Sequence, residues 1–187
     1  MASKKQGQNQ AQQEQQEQPA TEGGQEGADR FETAVAHVLD AEGGFVDDPR
    51  DPGGRTNFGI SQRAHPDVNI KELTRDQAKA IYRSDYWDAV SAGELPAPVD
   101  HVVFDAAVNQ GVRAAIKTLQ SALGVTTDGI IGPNTLGAVV DHDPDQLAER
   151  VLGYRAVRYA RTNNPAFLRG WFNRLFELHR HILEGKA

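Results

Sequence analysis

"AEGGFVDDPRDPGGRTNFGIS", residues 41–61, sets one glutamate in front of two glycines and follows it with turn residues. Upstream, Phe31, Val35, Val38 and Leu39 recur at helical spacing, so they form one face of a helix. Asp29 is placed to cap its start. Continued by three or four residues, the apolar stripe lands on Glu42, and Gly43-Gly44 ends the helix because glycine accepts the left-handed conformation after a last turn. Downstream, Pro49 and Pro52 bias Asp48 and Asp51 away from helix. Gly53-Gly54 permits a reversal, and "RTNFGI", residues 55–60, reads as a short strand. A helix ending at Glu42 and a small antiparallel hairpin after it are therefore expected.

Outward from this stretch the pattern is helical. Thr74 and Gln77 fit a capping box, with Ala78, Ile81 and Tyr82 as the apolar face and Tyr86-Trp87 near the end. Two prolines precede a helix that turns Val99, Val102, Val103, Ala106 and Ala107 inward, sets Asp105 and Asn109 on one face, and closes at Gly111. "LQSALGVTTDGIIGPNTLGAV", residues 119–139, reads as helix, glycine stop, turn and helix, with Pro133 at a first helical position. Two more amphipathic helices complete a mostly α fold with one small β-hairpin.

The chain has 187 residues and net charge −6. Residues 1–28 hold glutamine in place of apolar side chains, and such a segment cannot offset its ordering entropy by burial, so it is expected to be disordered. No apolar h-region follows its lysines, and no run of about 18 apolar residues spans a membrane. Residues 31–146 carry 9 basic and 18 acidic groups, whereas residues 147–187 carry 8 and 3. An acidic body without a basic–aromatic motif excludes nucleic-acid binding as the main function. The basic end, with Arg150, Arg155, Arg158 and Arg161, suits contact with an anionic surface or is a solvated helix face. Without cysteine, thiolate chemistry and disulfides are excluded. The scattered histidines form no metal-binding pattern, so no cofactor is expected.

Two carboxyl groups in contrasting environments are what most glycosidases use, one to protonate the leaving oxygen and one to activate water or attack carbon. Glu42, on a core-facing stripe at a helix C-terminus, sits where both burial and the helix dipole disfavour charge. That suits a general acid. Asp51, nine residues on in a polar loop, is the candidate ionised partner, with Asp47 and Asp48 as competitors. Thr56 and Asn57 are placed to position a water. Phe45, Tyr86 and Trp87 are candidates to stack on sugar faces, or core residues, and Asn109 is a further candidate substrate contact. The same Asp- and Pro-rich loop also reads as a rigid turn.

"EGGFVDDPRDPGGRTNFGIS" resembles the signature of the glycoside hydrolase family 108 N-acetylmuramidases, a lysozyme-like group of phages and bacteria, and the likeness runs from about Phe31 to Ile182. It implies a lysozyme-like fold and hydrolysis of the β-1,4 bond between N-acetylmuramic acid and N-acetylglucosamine in peptidoglycan. By resemblance, Glu42 takes the catalytic glutamate position, and Glu42, Asp51 and Thr56 map onto the glutamate, aspartate and threonine of phage-type lysozymes. Aligning by "GI" puts Asn57 at the threonine position instead. "DGIIGPNT", residues 128–135, is similar to the recurring turn of the helical peptidoglycan-binding domain that accompanies this family. The organisation expected is a disordered segment 1–28, a catalytic region 29–110 and a peptidoglycan-binding-like region 111–187 that shares the core.

The alternatives are a non-catalytic wall-binding or virion module with this fold, or a lytic transglycosylase, which uses one acid and no water. Peptidoglycan is the expected partner of a monomer. The N-terminal segment is a candidate tether to a virion. Reaching the wall calls for holin-assisted release from the host cytoplasm, or delivery by the virion.

Overall fold

The structure, a computed structural model, describes residues 22–47, 54–162 and 165–185. Its described elements are α1 (Glu22–Glu42), β1 (Thr56–Asn57), β2 (Ile60–Ser61), α2 (Arg75–Tyr82), α3 (Val99–Gln110), α4 (Val112–Leu123), α5 (Pro133–Val140), α6 (Pro144–Arg161) and α7 (Pro165–Leu183), with short 3-10 and π turns around them. The fold is mostly α with one small hairpin after the first helix, as the sequence predicts. Among the described residues, no helix is long and apolar enough to cross a membrane.

Two local expectations change. α1 begins at Glu22, so Asp29 lies inside the helix rather than capping it, and the last residues of the 1–28 segment are helical. "RTNFGI" is not one strand but a whole hairpin. Asn57 pairs with Ile60 and Thr56 with Ser61, and Phe58 and Gly59 form the turn with φ of 51° and 73°. Positive φ at both central residues is the type I′ geometry whose twist matches the flanking strands. Gly53 lies outside the described residues, and the bridge between Val46 and Thr56 adds a third segment to the ribbon.

α3 is the central helix, because every residue from Val99 to Ala107 is buried. α1, α4 and α6 pack on it, and α7 packs on α6. From α1, Phe31 meets Trp87 and Phe104 edge-on, with ring centroids 5.4 and 6.1 Å away. Edge-to-face aromatic packing adds to the area term, and truncating Trp87 to alanine would cost about 3–5 kcal/mol. The predicted capping box is present: Gln77 N–H donates to Thr74 Oγ1, and Thr74 N–H to Gln77 Oε1. It starts α2, the helix that carries Tyr82 to the site.

The "DGIIGPNT" turn is tied to α4 by one buried side chain. Gln120 Nε2 donates to Asp128 Oδ1 at 2.7 Å, to Ile130 O at 3.0 Å and to Thr135 Oγ1 at 3.2 Å, while its Oε1 accepts from Gly129 N–H. Every polar atom of the buried amide is thereby satisfied, and Pro133 follows as the first residue of α5.

Candidate active site

Glu42 closes α1 because Gly43 takes φ of 76°, a conformation that ends a helix at little steric cost in glycine. Its carboxylate does not sit in an apolar setting, as the sequence suggested. A quarter of the side chain is exposed, and Oε1 accepts a 2.7 Å bond from Arg174 Nη1 of α7. The other oxygen faces the hairpin turn. A Cβ built on Gly59 would lie 2.9 Å from Glu42 Oε2 and 2.8 Å from Tyr82 Oη, so only glycine lets the turn come this close. Tyr82 Oη donates to Phe58 O at 2.9 Å, which secures a non-glycine residue in a left-handed conformation. Burial, then the Glu42 charge, pushes the Tyr82 hydroxyl well above the usual phenol range, so it stays a hydrogen-bond donor. Tyr86, packed against Tyr82 at 5.5 Å between centroids, is raised too, by burial, Asp85 and Glu42.

Behind Glu42 lies a buried charge relay. Arg174 Nε donates to Asp105 Oδ1 at 2.8 Å, and Arg155 Nη2 of α6 donates to Asp105 Oδ2 at 2.6 Å. Tyr159 Oη donates to Asn109 Oδ1 at 2.5 Å. Burial pushes the Asp105 carboxyl up, but Arg155 and Arg174 outweigh it and hold the group below its ordinary value. Asp105 raises Arg174 in turn against the effect of burial. Arg174 bridges the Glu42 and Asp105 carboxyl groups, and Arg155 closes on Asp105 from the other side. A buried charge is tolerable only under such pairing.

The remaining sequence candidates divide. Phe45, three residues past Glu42, is 41% exposed. Thr56 is half-buried on β1, its backbone bonded to Val46 at 2.8 and 2.9 Å. Trp87 is core, not a sugar platform, at 2% exposure, because Phe31 and Phe104 enclose it. Asn57 is buried, and its Nδ2 donates to Ile70 O and Leu73 O, so its amide nitrogen is committed to the fold. Asn109 is half-buried against Tyr159, and Tyr86 is half-buried on Tyr82. Asp47 accepts from Arg55 Nε at 3.1 Å on the surface. Asp48 and Asp51 lie outside the described residues.

Arg155, grouped by sequence with a basic solvated face, is fully buried on Asp105. Neither Arg155 nor Arg174 is among the sequence candidates for the site. A signal existed, because Arg155 recurs with Val151 and Tyr159, and Arg174 with Trp171 and Leu178, at core-facing helical spacing. Cations on apolar stripes imply buried acidic partners. Among the described residues, no group of three His, Asp or Glu side chains could hold a metal ion.

Residues 35–111 match the family model for glycosyl hydrolase 108, and residues 114–176 match that of a predicted peptidoglycan domain. The solved structure of Brucella abortus SagA is similar at a TM-score of 0.71 and 35% identity, over 82% of this chain and 94% of that one. No curated protein matches the sequence.

Proposed function

The chain belongs to the glycosyl hydrolase 108 family, with a lysozyme-like fold and activity on peptidoglycan, and on that premise we propose that Glu42 is its catalytic acid. The supporting observation is the division of labour between the Glu42 oxygens: Oε1 is held by Arg174, and Oε2 faces the hairpin turn. Oε2 is then the atom that gives its proton to the glycosidic oxygen as the bond from the N-acetylmuramic acid anomeric carbon breaks. A water adds to that carbon and loses a proton to the second carboxylate. The products are a reducing N-acetylmuramic acid end and a free hydroxyl on N-acetylglucosamine.

Asp51 is the second carboxylate in this reading and Thr56 the group that orients the water. Arg174 positions the acid and does not touch substrate, with Asp105 and Arg155 fixing Arg174 in turn. Phe45 and Tyr86 offer ring surface to the glycan. The first family match ends at Gly111 and the second begins at Ala114, which supports a catalytic region over 29–110 and a region 111–187 that completes both core and site. A monomer suffices for this chemistry. The exposed Arg150, Arg158 and Arg161 supply contact with an anionic wall, and the N-terminal segment serves as a tether if the enzyme travels on a virion rather than being released from the host cytoplasm.

The test is digestion of purified peptidoglycan by wild type and Glu42→Gln, with released fragments resolved by mass and reducing-end chemistry. Glutamine keeps the size and can still accept from Arg174, but cannot deliver the proton. Reducing N-acetylmuramic acid ends from wild type alone are expected. Anhydro ends would make the enzyme a lytic transglycosylase, and equal release by the variant would remove Glu42 from its role.

A further inference from the structure

α4 and α6 enclose a groove of about 410 Å³ on the peptidoglycan-domain side of the molecule. Its volume is within the range of small-ligand sites. Three cations converge on it, Lys117 from α4 and Arg158 and Arg161 from α6, and no acidic residue lines it. Two of the three come from the basic end of the chain, residues 147–187, with 8 basic and 3 acidic groups. Among the described residues, none of the three forms an ion pair within 4.0 Å. Asp128 is the acid whose field reaches Lys117, and its carboxylate is already engaged by Gln120 and by Ile130 N–H.

The floor of the groove is equally specific in what it offers. Thr118 donates its hydroxyl to Ala114 O and Ser121 donates to Lys117 O, each at 2.8 Å. Their hydrogens are occupied within the helix, and their oxygens are left as acceptors. Tyr154, 45% exposed, presents an aromatic ring at one wall. Arg155 and Tyr159 point from the same helix into the Asp105 cluster, so the groove lies on a different face of α6 from the groups behind Glu42.

Unpaired cations, hydroxyl acceptors and an exposed ring together match a ligand with carboxylates, N–H donors and an apolar face. We propose that this groove is an accessory subsite for the stem peptides of peptidoglycan, with Lys117, Arg158 and Arg161 taking their carboxylates. The assignment rests on peptidoglycan being the substrate. A second handhold away from Glu42 keeps the enzyme on the wall between cleavages, and contacts of this type act chiefly through salt-dependent association.

The experiment is co-sedimentation of the full chain with insoluble peptidoglycan at low and high salt, in a Glu42→Gln background so that the wall stays intact. Lys117→Gln/Arg158→Gln/Arg161→Gln is compared with the charge-keeping Lys117→Arg/Arg158→Lys/Arg161→Lys. The glutamine variant is expected to bind about tenfold more weakly at low salt and to lose most of its salt dependence, while the charge-keeping variant binds as the parent does. Wall stripped of stem peptides by an amidase should bind the parent as weakly as intact wall binds the glutamine variant. Unchanged binding by the glutamine variant overturns the subsite. Binding that survives peptide removal but falls when wall phosphates are removed overturns the carboxylate assignment in favour of phosphate. Matching melting midpoints exclude misfolding as the cause, and a lowered midpoint transfers the test to Arg158→Gln alone. Hydrolysis persisting in the Glu42→Gln background would fault the catalytic assignment and leave the comparison between groove variants intact.

Discussion

Arg174 and Glu42 are 132 residues apart in the chain and 2.7 Å apart in the fold. One residue falls within the glycosyl hydrolase match and the other within the peptidoglycan-domain match, so the candidate active site is a joint product of both. Arg174→Ala should lower kcat about 100-fold, the scale of a misplaced catalytic group, with KM little changed because the guanidinium is engaged by Glu42 and Asp105. Arg174→Lys should recover only part, since a lysine cannot serve Glu42 and Asp105 with a planar fork. Steady-state rates on solubilised glycan fragments check this, and a change confined to KM would place Arg174 on the substrate instead.

Asp105 carries a large stability consequence. Replacing it by asparagine leaves the fully buried Arg155 without a counter-charge, a change that costs about 3–5 kcal/mol. For a domain of this size the melting midpoint falls by about 10 °C. The pH dependence has a definite sign. The Asp105 carboxyl is held below its ordinary 3.8, so its contribution is complete above that value and is lost as pH falls from there through the depressed folded value. Acid melts of wild type should steepen in that window and those of Asp105→Asn should not.

Gly59→Ala tests the close approach of the turn. The added Cβ would lie 2.9 Å from Glu42 Oε2, at a residue with φ of 73°. Strain in the left-handed region costs on the order of 1–3 kcal/mol, and the displaced carboxylate should lose activity beyond what the melt predicts. Near-normal turnover in a destabilised protein would show that Oε2 is not the working oxygen.

His37, on α1 five residues before Glu42, has its pKa lowered, first by burial and also by Arg174 and His101, against the carboxylates of Asp105 and Glu177. The neutral imidazole is favoured in the fold. Stability is therefore complete above 6.5 and declines as pH drops from there to the depressed folded value. Melting midpoints followed from about pH 8 to about pH 5 should slope downward in wild type and flatten in His37→Gln. Identical slopes would assign the decline to another group.

Much of this was legible in the sequence where a local rule and the tertiary demand coincide. Phe31, Val35, Val38 and Leu39 are all buried as their spacing implies, and the Thr74 cap forms because its partners lie three residues apart. The hairpin was legible but its turn was misplaced. Phe58 is an unfavourable residue for positive φ, and the Tyr82 bond that secures it comes from 24 residues away. Trp87 and Asn57 look like sugar ligands in one dimension, and only packing shows that both are committed to the core. The cluster behind Glu42 was the least legible, because no local spacing connects residues 42, 105, 155 and 174.

The reach of Arg174 back to Glu42 also orders events during synthesis. Chains emerge from the ribosome at about 5–20 residues per second, so the anchor of Glu42 follows it by roughly ten seconds. For that interval a nascent chain that has completed α1 and the hairpin lacks the Arg174 guanidinium that holds the Glu42 carboxyl group in the fold. The Glu42–Arg174 contact therefore forms only after α7 has been made.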